Sequence, residues 1–179
     1  MAASANWETR HGTALALREV IKLQGAHAGT YCEPPSLICT VAYIVADHAT
    51  ADENAVNHAK WCNDMAAKLL CVFVMDRFSD YVSDQVVAPV RESATQALAA
   101  LLIHMPESSV DHVHRILLAM IHQDFDRLPA KKPKNGYVWQ VRHAGLLGLK
   151  YEVAVREDLI EQQESRELLR GVVEAALLG

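Results

Sequence analysis

The chain has 179 residues, 51% of them hydrophobic, which is enough for the core of one ordinary domain. A net charge of −5 argues against a sequence-wide electrostatic grip on nucleic acid and leaves room only for a local basic patch. Aromatic residues are scarce at 6% while Ala, Leu and Val abound, which favours helix-on-helix packing over a β-sandwich.

Asn6 is placed to cap a first helix from Trp7 to about Gln24, which Gly25 stops. Trp7, His11, Ala14, Leu17 and Ile21 recur at spacings of three and four and share one face. Pro34 and Pro35 mark the start of a second helix, Ser36 to Ala49, and Ala51 to Asn57 reads as a loop. A third helix, about His58 to Arg77, carries Trp61, Met65, Leu69, Val72 and Phe73 on one side. Phe78 to Gln85 reads as a turn with a short helical piece. Pro89 suits the first turn of a fourth helix, which runs to Met105 and is ended by Pro106. A fifth follows from Ser109 to Asp124, and then a basic, breaker-rich loop at Lys131 to Gly136. The sixth runs from about Tyr137 to Arg156, and the seventh from Ser165 to Leu178.

Six or seven helices and no strands predict an all-α fold. One motif says how they are arranged. Trp7-Glu-Thr-Arg10-His11, with Leu17 ten residues after the Trp, returns as Trp139-Gln-Val-Arg142-His143 with Leu149. A third copy around Arg91 keeps the Arg-to-Leu98 spacing and lacks both Trp and His. Self-similarity of this kind marks a stacked-repeat α-solenoid, continuous over residues 1–179. Trp7, Arg10, His11, Arg91, Trp139, Arg142 and His143 are therefore expected to be architecture. Trp7 opens its motif with little sequence before it, and the last helix ends without a polar cap, so the chain reads as part of a longer array.

Catalytic signatures are missing. No P-loop, GxGxxG, GxSxG or HExxH occurs, and no cofactor or metal is expected. His58 with Cys62, and His104 with His112, fall on common helix faces, yet neither pair is completed to a ligand set with ordinary spacing. Cys32, Cys39, Cys62 and Cys71 form no CxxC and read as reduced thiols of an intracellular protein. No signal peptide is evident, and the apolar runs Leu37 to Ala46 and Leu69 to Met75 are too short to span about 30 Å of hydrocarbon. Gly145-Leu-Leu-Gly148 reads as close helix packing rather than a phosphate cradle. Lys131, Lys132 and Lys134 read first as a solvated loop, with an acidic partner or DNA phosphates as the alternative.

The block Trp7 to Ile21, the block Leu69 to Glu92 (LLCVFVMDRFSDYVSDQVVAPVRE) and the block Trp139 to Leu159 occur in a familiar order. Together they resemble the N-terminal HEAT-repeat region of the TATA-binding-protein-associated, Swi/Snf-type ATPases, the modifier-of-transcription family. The resemblance covers residues 6–24 and 60–178, while Gly25 to Asn57 departs from it as an atypical insertion or variable connection. It implies antiparallel helix pairs stacked into a curved array that grips TATA-binding protein in the nucleus, with DNA met only indirectly. It also implies flanking HEAT repeats and a separate ATPase motor, whose nucleotide-binding motifs this sequence does not contain. A non-enzymatic scaffold segment follows. Contacts are expected at inter-helix turns: Arg77 to Asp84, Lys131 to Gly136, and Arg156 to Glu164. A basic convex partner surface directs attention to Asp76, Asp80 and Asp84, beside Lys131, Lys132 and Lys134. The alternative is a general HEAT-type adaptor with an unrelated partner. An enzyme would need a deep pocket with convergent polar groups.

Overall fold

The computed structural model describes residues 6–30, 48–78, 80–82, 85–123 and 138–160, with positions 170, 173 and 174. In chain order these form α1 (Trp7–Gln24), a single 3₁₀ turn (Gly25–His27), α2 (His48–Met75) and a hairpin of β1 (Asp80–Val82) and β2 (Gln85–Val87). Then come α3 (Pro89–Leu102), α4 (Glu107–His122), α5 (Trp139–Val155) and the short α6 (Glu157–Ile160).

Local chemistry sets most of these ends. The Asn6 side chain accepts a hydrogen bond from the Glu8 backbone N–H at 2.9 Å, and Glu8 and Lys22 complement the helix dipole of α1 at its two ends. Pro89 occupies the first turn of α3, where a backbone N–H would have no intrahelical partner anyway. Gln123 closes α4 in the left-handed conformation, with φ of 52°.

Several sequence expectations are corrected. Ala51 to Asn57 is not a loop; it belongs to α2, which holds no Gly or Pro anywhere from His48 to Met75. Polar residues with adequate helix propensity simply continue the helix there. Among its described residues, Phe78 to Gln85 contains no helical piece. The segment folds into an antiparallel hairpin, with Asp80 opposite Val87, Tyr81 opposite Val86 and Val82 opposite Gln85. Tyr and β-branched Val are residues that favour extended backbone, so the expectation of no strands fails at this one place among the described residues. Helix α3 ends at Leu102 rather than Met105, and α4 starts at Glu107, right after Pro106, rather than at Ser109. Helix α5 starts at Trp139 rather than Tyr137. The helix expected at Ser36 to Ala49 lies mostly outside the described residues. So does the one expected at Ser165 to Leu178, of which 170, 173 and 174 are described as helical.

The helices make two layers. In the first, α1, α3 and α5 run parallel: His11 meets the carbonyl of Pro89 and Arg18 bonds Gln96, while Arg91 meets His143 and Gln96 meets Tyr151. In the second, α2 runs antiparallel to α3, with His58 beside the His104 carbonyl and Asp76 beside Arg91. Helix α4 runs antiparallel to α5, with His114 bonded to Glu152 and the Ile121 carbonyl accepting from Arg142. The fold is an all-α solenoid of antiparallel helix pairs.

Between the layers lies one apolar cluster that includes Phe73, Leu69, Leu98, Leu101, Leu117, Ile121 and Leu149, all buried. Close approach of α5 to α4 depends on Gly145, where a Cβ would lie 2.9 Å from the Leu117 carbonyl oxygen. Among the described residues, no helix is long and apolar enough to cross a membrane.

Candidate functional site

Five of the seven repeat-motif residues converge on the end of α2: Trp7, Arg10 and Arg91 directly, Trp139 and His143 through Arg91. Asp76 is the hub. It follows the last residue of α2, its side chain is 1% exposed, and it receives the Arg10 guanidinium at 2.7 Å and the Arg91 guanidinium at 3.7 Å. Asp76 was expected to be a surface contact in an acidic turn. The structure removes it from that role, because two buried or half-buried cations from different helices already claim its carboxylate.

Arg91 has no exposed side-chain surface. Its Nη1 donates to the backbone carbonyls of Asp76 at 3.3 Å and Phe78 at 3.1 Å. Its Nε donates to His143 Nδ1 at 3.3 Å, and its guanidinium lies 5.4 Å from the Trp139 ring centre. Burial pulls the Arg91 guanidinium below its ordinary range, and Asp76 offsets part of that. Burial first, and then the Arg91 charge, hold His143 below the usual histidine range, which keeps the imidazole neutral and free to accept from Arg91.

On the other flank, the Trp7 ring stacks on Phe78 with centroids 4.7 Å apart and planes 9° from parallel. His11 Nδ1 lies 3.0 Å from the carbonyl of Pro89, at the start of α3.

Two of the three motif arginines share one task, that of donating to main-chain carbonyls at the end of a second-layer helix. Arg91 serves the end of α2, and Arg142 donates to the Ile121 carbonyl at the end of α4 at 3.1 Å. Helix C-termini carry unsatisfied carbonyls and partial negative charge, so a guanidinium suits them. Arg10 departs from the pattern by taking the Asp76 carboxylate. Arg156 does similar work for α3, donating to the carbonyls of Leu102 and Met105 at 3.2 and 3.1 Å. Sequence spacing signals the shared arginine but not its target, since the target lies on another helix.

The remaining candidates are spread out. Asp80 opens β1 of the hairpin, two residues beyond Phe78. Asp84, Lys131, Lys132 and Lys134 lie outside the described residues. The ends of the segment that carries the lysines are joined: the Gln123 side chain donates to the Val138 carbonyl at 2.7 Å and accepts from the Val138 N–H at 2.9 Å.

Two features escaped the sequence. Gln123 gave no signal at all, and Phe78 read as the start of a turn, although an aromatic residue just past an apolar helix face is a fair hint of packing.

Possible metal ligands do not assemble. His58 is used by the carbonyls of Ala28 at 2.8 Å and His104 at 3.3 Å, and burial raises the Cys62 thiol, keeping it in its weakly ligating protonated form. No group of three or more His, Cys, Asp or Glu among the described residues is placed to hold a metal ion. A groove of about 820 Å³ between α1 and α2 is lined chiefly by Leu17, Met65, Leu69, Val72 and Met75.

No family model matches the chain. Curated relatives do. The chain is 42% identical over 97% of its length to "TATA-binding protein-associated factor mot1" of Aspergillus fumigatus. It is 39% identical over 87% to "TATA-binding protein-associated factor 172" of Homo sapiens, and 38% identical over 98% to the MOT1 factor of Saccharomyces cerevisiae. It spans 7% to 8% of the length of these three relatives.

Proposed function

Because the chain is homologous to a small segment of the TATA-binding-protein-associated factors, we propose that it is a non-enzymatic α-solenoid segment contributing to recognition of TATA-binding protein in transcription regulation, in the nucleus. The observation that carries this reading is the 42% identity along 97% of the chain to a relative named for that association. The helix-pair architecture supports it, since stacked repeats present extended surfaces to protein partners. The ATPase motor that the family resemblance implies forms no part of this reading, as this sequence holds no P-loop.

Within this reading the contact belongs to inter-helix turns rather than to the buried Asp76 cluster. The hairpin after α2 is the leading turn, and Asp80 and Asp84 are the candidate contacts to a basic surface there. Lys131, Lys132 and Lys134 belong to a second turn between α4 and α5, suited to an acidic patch on the same partner. Titration of the chain with purified TATA-binding protein tests the proposal. Saturable binding that weakens with Asp80→Lys and Asp84→Lys is the expected result. Binding that ignores both substitutions removes the hairpin from the interface. No binding at all turns the balance to a general HEAT-type adaptor with an unrelated partner.

A further inference from the structure

The residues that lead from α2 into the hairpin are gripped from all three helices of the parallel layer. From α1, Arg10 holds the Asp76 carboxylate and Trp7 stacks on Phe78. From α3, Arg91 holds the carbonyls of Asp76 and Phe78. From α5, His143 and Trp139 meet Arg91 on its other side. A wholly buried guanidinium is a poor device for stability alone, because well-packed apolar residues often do as well or better. What it supplies is a planar fork of donors in fixed geometry, here spent on main-chain carbonyls just before β1. A lone two-stranded hairpin is marginal in water and needs an external anchor to keep one orientation.

We propose that Arg91 and the Trp7 stack on Phe78 together position the hairpin, so that the stacking of α1, α3 and α5 sets how the strands Asp80–Val82 and Gln85–Val87 are presented. The claim about presentation stands on the contacts just described. Its consequence for a partner rests on the function proposed above.

Amide hydrogen exchange on the full chain is the direct test, with Trp7→Ala, Trp7→Phe and Arg91→Lys as variants. Trp7→Ala removes the stack on Phe78 from a half-buried position, and Trp7→Phe keeps an aromatic there. The amides of β1 and β2 are expected to lose about threefold to tenfold protection in Trp7→Ala, to recover it in Trp7→Phe, and to lose more in Arg91→Lys. Protection in α4 and α5 should stay unchanged in both Trp7 variants, which separates a local release of the hairpin from general destabilisation. Equal loss across the whole chain, or an unchanged hairpin in Trp7→Ala, overturns the proposal even if Arg91→Lys fails to fold.

Affinity for purified TATA-binding protein, measured on the same variants, tests the consequence. It should fall in Trp7→Ala and return in Trp7→Phe. If the unmodified chain does not bind, the proposed function fails while the exchange result still decides how the hairpin is positioned.

Discussion

Asp76 shows what a shared buried charge does at the scale of one residue. Its carboxylate is the only acidic group within salt-bridge distance of Arg91 among the described residues, and it also answers Arg10. Asp76→Asn leaves a buried guanidinium without its counter-charge, a change that typically costs about 3–5 kcal/mol. Urea denaturation should show that loss as a lower midpoint with unchanged slope. A loss under about 1 kcal/mol would mean that water reaches Arg91 and that the pair is not isolated.

His143 makes a second prediction, with a sign that can be worked out. Its value in the folded chain lies below the ordinary 6.5. Under acid the unfolded chain therefore takes up this proton before the folded one does. The contribution is fully present above about pH 6.5 and is lost as pH falls through the lower, folded value. Protonated, its Nδ1 would face the Arg91 Nε–H donor to donor. Melting temperature followed from pH 7.5 to 5 should fall less in His143→Gln than in the unmodified chain, and superimposable profiles would rule His143 out as the source.

Among the elements, α5 owes its place beside α4 to two glycines that are not equivalent. A Cβ on Gly148 would meet Leu117 Cδ2 at 2.5 Å, a side-chain atom of the core rather than backbone. A Cβ on Gly145 would meet the Leu117 carbonyl oxygen at 2.9 Å and Ile121 Cγ1 at 2.8 Å, so the backbone of α4 stands in its way. Gly145→Ala is expected to destabilise by about 1–3 kcal/mol. Gly148→Ala should be close to neutral, because a gain of about 1 kcal/mol in helix propensity opposes the repacking. Thermal melts of the two variants check the order, and equal losses would show that α4 and α5 separate freely.

How far the elements were legible follows the same line between local and remote causes. Asn6 and Pro89 act within a turn of their own helices, and both ends were readable from sequence. The hairpin was not. Its strands are three residues each, too short for a period-two alternation to show itself in the sequence.

Over the whole molecule, the repeat was visible in the shared separation of Arg10, Arg91 and Arg142 from Leu17, Leu98 and Leu149, and it led to the solenoid. The targets of those arginines were hidden, since each lies on an element distant in sequence: Asp76 for Arg10, the Phe78 carbonyl for Arg91, Ile121 for Arg142. The candidate site was legible only in part for the same reason. Asp76 looked like any other acidic turn residue until the fold brought two guanidinium groups to it.

Gln123 carries a last consequence. By bonding both the carbonyl and the N–H of Val138, it fastens the exit of α4 to the entry of α5. The helices on either side of this clasp need not register what lies between its jaws. Lengthening a connection whose ends are already held adds only a slowly growing entropy, about 0.6 kcal/mol for each doubling. A reporter peptide spliced into the sequence between Gln123 and Val138 is therefore expected to lower the melting temperature little, because the clasp keeps the two helix ends together whatever joins them.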